Sequence, residues 1–318
     1  MRVRETLAGL ILELEAAGVD SARAEAEILL AAVLDLLEAP RSALYSAGDR
    51  ELTSPQVRTL AGLALRRGSG EPSQYLVGRA WFRELTLAVG PGVLIPRPET
   101  EQLVERVLEW LGGRGPTPSG GCSRLLDVGT GSGCIALSLA LEAEGAQILG
   151  VDSSRSALRY AERNLERLRR RKPEAAERVS FRPSDLFSGV AGEQPFDAIV
   201  SNPPYVGRDE AERLPREVRE HEPEEALFPP RHATSLIEEI IAGAPQFLLP
   251  GGLLALEIGE TQADNVAGRI LAAETSGTPV FAAPRVFEDL SGRPRLVLAE
   301  RRPEPHPAQG GAWQPPPR

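Results

Sequence analysis

Four consecutive residues, Asn202-Pro203-Pro204-Tyr205, combine the types needed to hold a planar NH2 group for reaction. An amide or exocyclic amine is a poor nucleophile because its lone pair is delocalised, so a catalyst must fix and orient it. The Asn202 side-chain oxygen and the Pro203 carbonyl can each accept one N–H. Neither Pro203 nor Pro204 has an amide hydrogen to compete, and Tyr205 can add a flat apolar wall. With both hydrogens held, the nitrogen faces a methyl donor in near-attack geometry, which can supply roughly several kcal/mol of the barrier.

The donor needs a site of its own, and Asp127-Val128-Gly129-Thr130-Gly131-Ser132-Gly133 provides a candidate. This segment follows an apolar run and opens a helical one, the context a nucleotide-binding turn requires. Its glycines let the backbone turn tightly and approach a ligand closely. The dinucleotide fingerprint is Gly-x-Gly-x-x-Gly, whereas here the third glycine comes one residue early and Cys134 takes its place. Such spacing suits an adenosyl and amino-acid ligand better than a pyrophosphate. Asp152 ends the next strand, where it can accept hydrogen bonds from two ribose hydroxyls or cap the helix beginning near Ser153 and Ser154. After the third strand, Ser184-Asp185-Leu186 offers an acid for an adenine amino group, with Leu186 or Phe187 against the ring; a helix cap or turn is the alternative. Cys134 itself reads as a small packing residue, and Arg167 to Lys172 as a solvated helix end complementing the dipole.

The elements that must position these groups fall into two patterns. Residues 1 to about 70 are helical: Leu7, Leu10, Ile11 and Leu14 recur at i, i+3, i+4, i+7, a second helix spans Ala22 to Leu37, and Thr53-Ser54-Pro55 opens a third running to about Arg67. From Trp81, Leu85, Leu87 and Val89 alternate before Gly90-Pro91-Gly92, which predicts a hairpin bridging two domains. Beyond an amphipathic helix over Glu101 to Leu111, strands are expected at Arg124 to Val128, Gln147 to Val151, Val179 to Arg182, Phe196 to Ser201 and Leu253 to Ile258. Helices at Ile135 to Glu144, Ser156 to Arg171 and Ser235 to Phe247 separate most of them. This alternation implies a mostly parallel α/β sheet covered on both faces. Pro279 to Ala283 and Leu296 to Glu300 are expected as two late strands. The proline- and glycine-rich residues 303 to 318 are expected to be a disordered tail.

Composition narrows the partners. The chain has 318 residues, 42% of them apolar, and a formal net charge of −9, which argues against binding nucleic acid mainly by counterion release. A protein or small-molecule substrate is favoured instead. Only Cys122 and Cys134 are present, so no disulfide framework is available, and His221, His232 and His306 lack metal-ligand spacing. A cytoplasmic chain with no signal segment and no membrane span is expected.

The order of these residues resembles the class I S-adenosylmethionine-dependent methyltransferases, and more closely the release-factor glutamine methyltransferase family, over about residues 5 to 300. Further matching motifs are Gly70-Glu71-Pro72-Ser73-Gln74-Tyr75-Leu76, Val93-Leu94-Ile95-Pro96-Arg97-Pro98-Glu99-Thr100-Glu101, Glu222-Pro223 with Ala226-Leu227, and Leu256-Glu257-Ile258-Gly259 with Gln262. The resemblance implies a Rossmann-like class I methyltransferase sheet with helices on both faces, preceded by a small all-α N-terminal domain and a β-hairpin linker. It divides the chain into a helical substrate-recognition domain (residues 1–75), the linker (76–98) and a domain binding S-adenosyl-L-methionine (99–302). The implied reaction is methylation of the glutamine side-chain amide in the Gly-Gly-Gln motif of class-1 peptide chain release factors, by a monomer without metal. Gly129, Thr130, Gly131, Ser132, Gly133, Asp152, Asp185, Leu186 and the edge of Asn202 would then hold the cofactor, and Asn202, Pro203, Pro204 and Tyr205 the substrate. Because N-alkylation makes an amide far more acidic, proton loss can follow transfer and no general base is assigned. Two departures from the family pattern stand out: Phe228 to Leu236 replaces a glycine-rich stretch, and Glu84 stands where a glycine is common in the hairpin. A nucleic-acid adenine N6-methyltransferase uses the same Asn-Pro-Pro-aromatic logic, but the acidic balance disfavours it.

Overall fold

The computed structural model describes residues 1–114, 122–275 and 277–303. The expected disordered tail lies outside the described residues except for Pro303. Five helices open the chain: α1 (Val3–Ala16), α2 (Ala22–Val33), α3 (Ser42–Ser46), α4 (Ser54–Gly68) and α5 (Ser73–Val77). Leu7, Leu10 and Leu14 of α1 pack with Ala26, Leu29 and Leu30 of α2 and Leu60 and Ala64 of α4 in a core of their own. Thr53 caps α4 reciprocally: its hydroxyl accepts the Gln56 N–H, and Gln56 Oε1 accepts the Thr53 N–H at 3.0 Å. The second helix stops at Val33 rather than Leu37. Asp35 takes a left-handed φ of 57°, which turns the chain so that the Leu36 N–H reaches the Ala31 carbonyl at 2.8 Å.

The hairpin forms as expected from β1 (Arg79–Phe82) and β2 (Leu85–Ala88). Its turn places the positive φ, 49°, on Arg83 and not on Glu84, so position 84 has no need of glycine. Arg83 is held there by Glu142, which accepts from its guanidinium at 2.6 and 2.5 Å, and by Glu101, which accepts its amide hydrogen at 2.9 Å. The hairpin is more than a tether. Phe82, Leu85 and Leu87 are buried in the core of the following sheet, and Asn164 exchanges two hydrogen bonds with the Ala88 backbone, at 2.6 and 3.1 Å.

The rest alternates: α6 (Pro98–Gly113), β3 (Arg124–Val128), α7 (Cys134–Glu142), β4 (Gln147–Asp152), α8 (Arg155–Arg171), α9 (Pro173–Ala176), β5 (Val179–Pro183) and β6 (Phe196–Ser201). Short helices α10 (Arg216–His221) and α11 (Glu224–Leu227) follow, then α12 (Ser235–Phe247), β7 (Leu248–Glu257) and α13 (Ala263–Leu271). A two-residue pair, β8 (Glu274–Thr275) and β9 (Thr278–Pro279), precedes β10 (Arg285–Glu288) and β11 (Pro294–Glu300). The main sheet has seven strands in the order β10-β11-β7-β6-β3-β4-β5. β7, β6, β3, β4 and β5 run parallel, and β11 and β10 are antiparallel additions. Pro279 to Ala283 is therefore not the expected sheet strand. Phe281 makes an isolated bridge with Arg301, while Arg285–Glu288 takes the edge.

Helices cover both faces, because each central strand is apolar on both sides. Leu103, Val104 and Val107 of α6 join Leu137, Leu139, Leu165 and Leu168 against one face. Ile237, Ile240 and Ile241 of α12 and Val266 and Ile270 of α13 cover the other. Order along the sheet decides where ligands meet. After β3 the chain winds outward through β4 and β5, then returns to the opposite flank of β3 for β6. The crevice between the β3 and β6 carboxyl ends is thus a topological switch point, where open α/β sheets bind ligands.

Candidate active site

At that switch point the glycine loop and the Asn-Pro-Pro turn face each other. Ser201, the last residue of β6, donates its hydroxyl to the Val128 carbonyl at 2.7 Å and ties the two strand ends together. The cleft between them encloses about 1040 Å³, its open mouth included. Its walls carry Gly129, Thr130, Gly131, Ser132, Asp152, Asp185, Leu186, Asn202, Pro203 and Pro204, as well as Val93, Arg97, Thr100 and Ile240.

The loop is held from beneath. The Gly129 and Thr130 amides donate to the Val151 carbonyl at 2.8 and 2.9 Å. Buried Asp127 accepts the Thr130 hydroxyl at 2.6 Å and the Ala136 amide at 3.2 Å on the same oxygen. Burial pushes the Asp127 carboxyl up to about 7, against those two bonds. Gly129 and Gly131 have φ of 74° and 58°, and a β-carbon on either would meet no protein atom closer than 4.0 Å. The space beside them is the cleft itself. Gly133 differs: a β-carbon there would lie 2.9 Å from the Phe181 ring, so this glycine serves helix-to-sheet packing, and it is not among the lining residues.

Asp152 does not cap α8; Ser154 does, accepting the Ala157 amide at 3.3 Å. The Asp152 oxygens instead accept one hydrogen each, from Gly131 and from Ser154, both at 2.8 Å. Each oxygen keeps a free lone pair beside the cleft, and burial raises this carboxyl above its ordinary value. Asp185 is exposed on the wall, its amide donating to Ser188 Oγ at 3.1 Å. Leu186 sits at a left-handed φ of 46°, with its carbonyl accepting the Ser184 hydroxyl at 2.6 Å. Cys134 is buried at the cleft floor, and burial pushes its thiol up to about 12, so it stays protonated.

Asn202 donates Nδ2–H to Thr100 Oγ1 at 3.0 Å, leaving its Oδ1 without a donor among the described residues. The Pro203 carbonyl likewise accepts nothing from them. Tyr205 departs from expectation. It is not among the cleft-lining residues; its ring packs against the apolar core under the sheet, and its hydroxyl donates to Glu257 Oε1 at 3.1 Å. The Tyr205 carbonyl accepts from Gln262 Nε2 at 2.8 Å. Thr100 donates to the second oxygen of Glu257 at 2.7 Å, and Glu257 is fully buried. Buried Glu222 accepts from the Ile95 amide at 3.1 Å and from Arg97 at 2.5 Å and so holds the segment leading to Thr100. Thr100, Glu257 and Glu222 lie within the motifs noted above, but nothing in their sequence positions reveals these contacts. The segment from Phe228 to Leu236 buries Phe228 and delivers Leu236 to the cleft wall.

A mostly parallel sheet with this order, a glycine loop after its first strand and a ribose-height acid after its second together define a class I S-adenosylmethionine-dependent methyltransferase. The cleft fits that cofactor: there is open space beside two left-handed glycines, an acid with free lone pairs, and apolar wall from Leu186 and Ile240. Comparison with known proteins narrows the class. A family model described as the PrmC N-terminal domain matches residues 5–78, and one described as the methyltransferase small domain matches residues 118–218. The release factor glutamine methyltransferase of Koribacter versatilis is 38% identical over 301 residues, spanning 95% of this chain and 99% of its own. That of Geobacter sulfurreducens is 40% identical over 280 residues, 88% of this chain and 90% of its own. The chain belongs to the release factor glutamine methyltransferase family. Among solved structures, the hMettl16 catalytic domain, crystallised with MAT2A 3′UTR hairpin 6, aligns over 78% of this chain and 82% of its own with a TM-score of 0.51. Its 15% identity makes this a likeness of fold alone.

Proposed function

We propose that this enzyme methylates the side-chain amide nitrogen of the glutamine in the Gly-Gly-Gln motif of class-1 peptide chain release factors. The observation that carries this reading is the pair of free acceptors at the switch point. Asn202 and Pro203 both line the cleft, and Asn202 Oδ1 and the Pro203 carbonyl have no donor among the described residues, which is what two amide hydrogens of one NH2 group require. S-adenosylmethionine, when bound, supplies an activated methyl group. Gly129, Thr130, Gly131 and Ser132 would pass along its amino-acid and ribose portions, Asp152 would accept from the ribose hydroxyls, and Asp185 with Leu186 would meet the adenine.

The chain's own residues then work by positioning. Asn202 and Pro203 fix the amide plane, Pro204 keeps the turn free of competing donors, and bound cofactor and substrate would displace water from the cleft. Tyr205 holds the turn by its hydroxyl and packs beneath it. No side chain is assigned as base. The helices of residues 1–75 would hold part of the release factor, the hairpin region 76–98 would link them to the site, and residues 99–302 would carry the chemistry. Among the described residues no helix is long and apolar enough to cross a membrane.

Labelled S-adenosylmethionine offered with release factor, a ribosomal protein and duplex DNA side by side tests the assignment. Label on release factor, placed on the Gly-Gly-Gln glutamine by mass spectrometry and lost when that glutamine is replaced, is the expected result. A methyl on a DNA adenine or on another release-factor residue would overturn it.

A further inference from the structure

We propose that Glu257, acting through Thr100 and Tyr205, is a positioning residue that decides which end of the Asn202 amide faces the substrate. This rests on the function proposed above. Thr100 has a single hydroxyl hydrogen. Ionised Glu257 is acceptor-only, so Thr100 gives that hydrogen to Glu257 Oε2 at 2.7 Å and presents only lone pairs to Asn202. Nδ2 satisfies those lone pairs at 3.0 Å. A flipped amide would set Oδ1 against them, oxygen to oxygen. The direction of the chain, amide to hydroxyl to carboxylate, therefore leaves Oδ1 for the cleft. Tyr205 occupies the other Glu257 oxygen at 3.1 Å. Both ends of the Asn-Pro-Pro-Tyr turn are anchored on one acid, which lies behind the turn and outside the cleft lining.

The same acid changes charge near neutral pH. Burial pushes the Glu257 carboxyl up to about 7, opposed by the bonds from Thr100 and Tyr205 and by the charge of Arg295 on β11, and reinforced by Glu99 of α6. The charge of Arg97, beside the start of α6, also acts on Tyr205. A neutral Glu257 has one donor oxygen, and the chain loses its single direction. A proton facing Thr100 reverses that bond and turns the Asn202 amide; a proton facing Tyr205 displaces the tyrosine hydrogen. The carboxamide of a glutamine has the same two arrangements, so Glu257→Gln should reproduce the acid form at every pH.

The test is steady-state methylation of release factor by the full-length chain on both sides of neutral pH. It compares the wild type with Thr100→Val, Thr100→Ser and Glu257→Gln, and records cofactor affinity by calorimetry and melting temperature alongside. Thr100→Val should lower kcat roughly tenfold with KM and cofactor affinity within about twofold, the pattern of a group that orients without binding. Thr100→Ser, which keeps the hydroxyl, should restore most of kcat. Glu257→Gln should lose the acid limb of the pH profile and remain at the wild-type acid plateau. Wild-type kcat in Thr100→Val, or an unchanged pH profile in Glu257→Gln, would overturn the proposal; if Thr100→Val does not fold, the Glu257→Gln profile alone decides. Should the wild type methylate a different NH2 group, the functional reading fails and the same ratios, measured on that substrate, still judge Glu257.

Discussion

The amide of Gly131 donates to Asp152 Oδ2 at 2.8 Å, so the acid placed to hold a ribose also holds the loop beside it. Asp152→Ala should therefore weaken S-adenosylmethionine binding twice over, by loss of acceptors and by release of the loop. A charged acceptor of this kind accounts for about 1.5–3 kcal/mol. Asp152→Asn should do little better, since its NH2 must face one of two backbone N–H groups that now point at the carboxylate. Titration calorimetry giving wild-type affinity for either variant would refute the ribose assignment.

For Gly131→Ala the strain is in the backbone. With φ at 58° and open space where the β-carbon would sit, the fold should persist with a loss of about 1–2 kcal/mol, while cofactor affinity falls further because the methyl enters the cleft. Melting curves and calorimetry on one preparation separate the two losses. A fall in affinity no larger than the fall in stability would show that the cleft beside Gly131 is not the cofactor's place.

Asn202→Ala should nearly abolish methyl transfer and leave cofactor affinity within a few-fold. Its Oδ1 is a free acceptor, and its only hydrogen bond to a described side chain is to Thr100. Near-normal turnover at saturating release factor would remove Asn202 from the mechanism.

Asp127 should contribute a stability that declines as pH rises toward neutrality. Its carboxyl is raised by burial from 3.8 to about 7, so the folded chain holds a proton that the unfolded chain has released between those values. The stabilisation is complete below the unfolded value and disappears as pH passes through about 7. Glu257 adds in the same direction, from 4.5 to about 7. Asp127→Asn should flatten the pH dependence of the melting temperature across this window, with Glu257 left to supply the remainder. A wild-type slope in that variant would place the buried proton elsewhere.

Removing the helical region tests its role as a substrate holder. The deletion must spare Tyr75, whose hydroxyl donates to the Val93 carbonyl at 2.6 Å behind the cleft wall. A chain beginning at Ser73 should keep cofactor binding and lose most activity on whole release factor. Arg67, buried between Glu25 of α2 and Glu217 of α10 at 3.0 and 2.5 Å, is one ion-paired link that such a deletion breaks, and Glu38, paired with Arg79 and Arg167, is another. Full activity without the helices would end the proposal.

The sequence by itself determined the elements and the chemistry they could carry. Alternation of apolar runs and amphipathic stretches located the five parallel strands, since buried parallel strands must be apolar on both faces, and Leu296 to Glu300 was legible as a sixth strand of the sheet. The Thr53 cap and the hairpin were legible because capping and turn chemistry are local. Glycines at 129 and 131, and prolines at 203 and 204, identified their turns for the same reason. Where the outcome depended on distant partners, sequence reading fell short. Arg285–Glu288, not Pro279 to Ala283, became the edge strand, because that choice rests on what β11 can pair with. The end of α2 at Val33 follows from a left-handed turn at Asp35 that no glycine announces. Asp152 was open between cap and ligand until Ser154 proved to be the cap. Only the fold could bring Thr100 and Glu257, 157 residues apart, to 2.7 Å behind Asn202. Their types are polar and unremarkable in the sequence; a buried acid gains its direction-setting role from three elements closing around it, and that closure exists only in the tertiary structure.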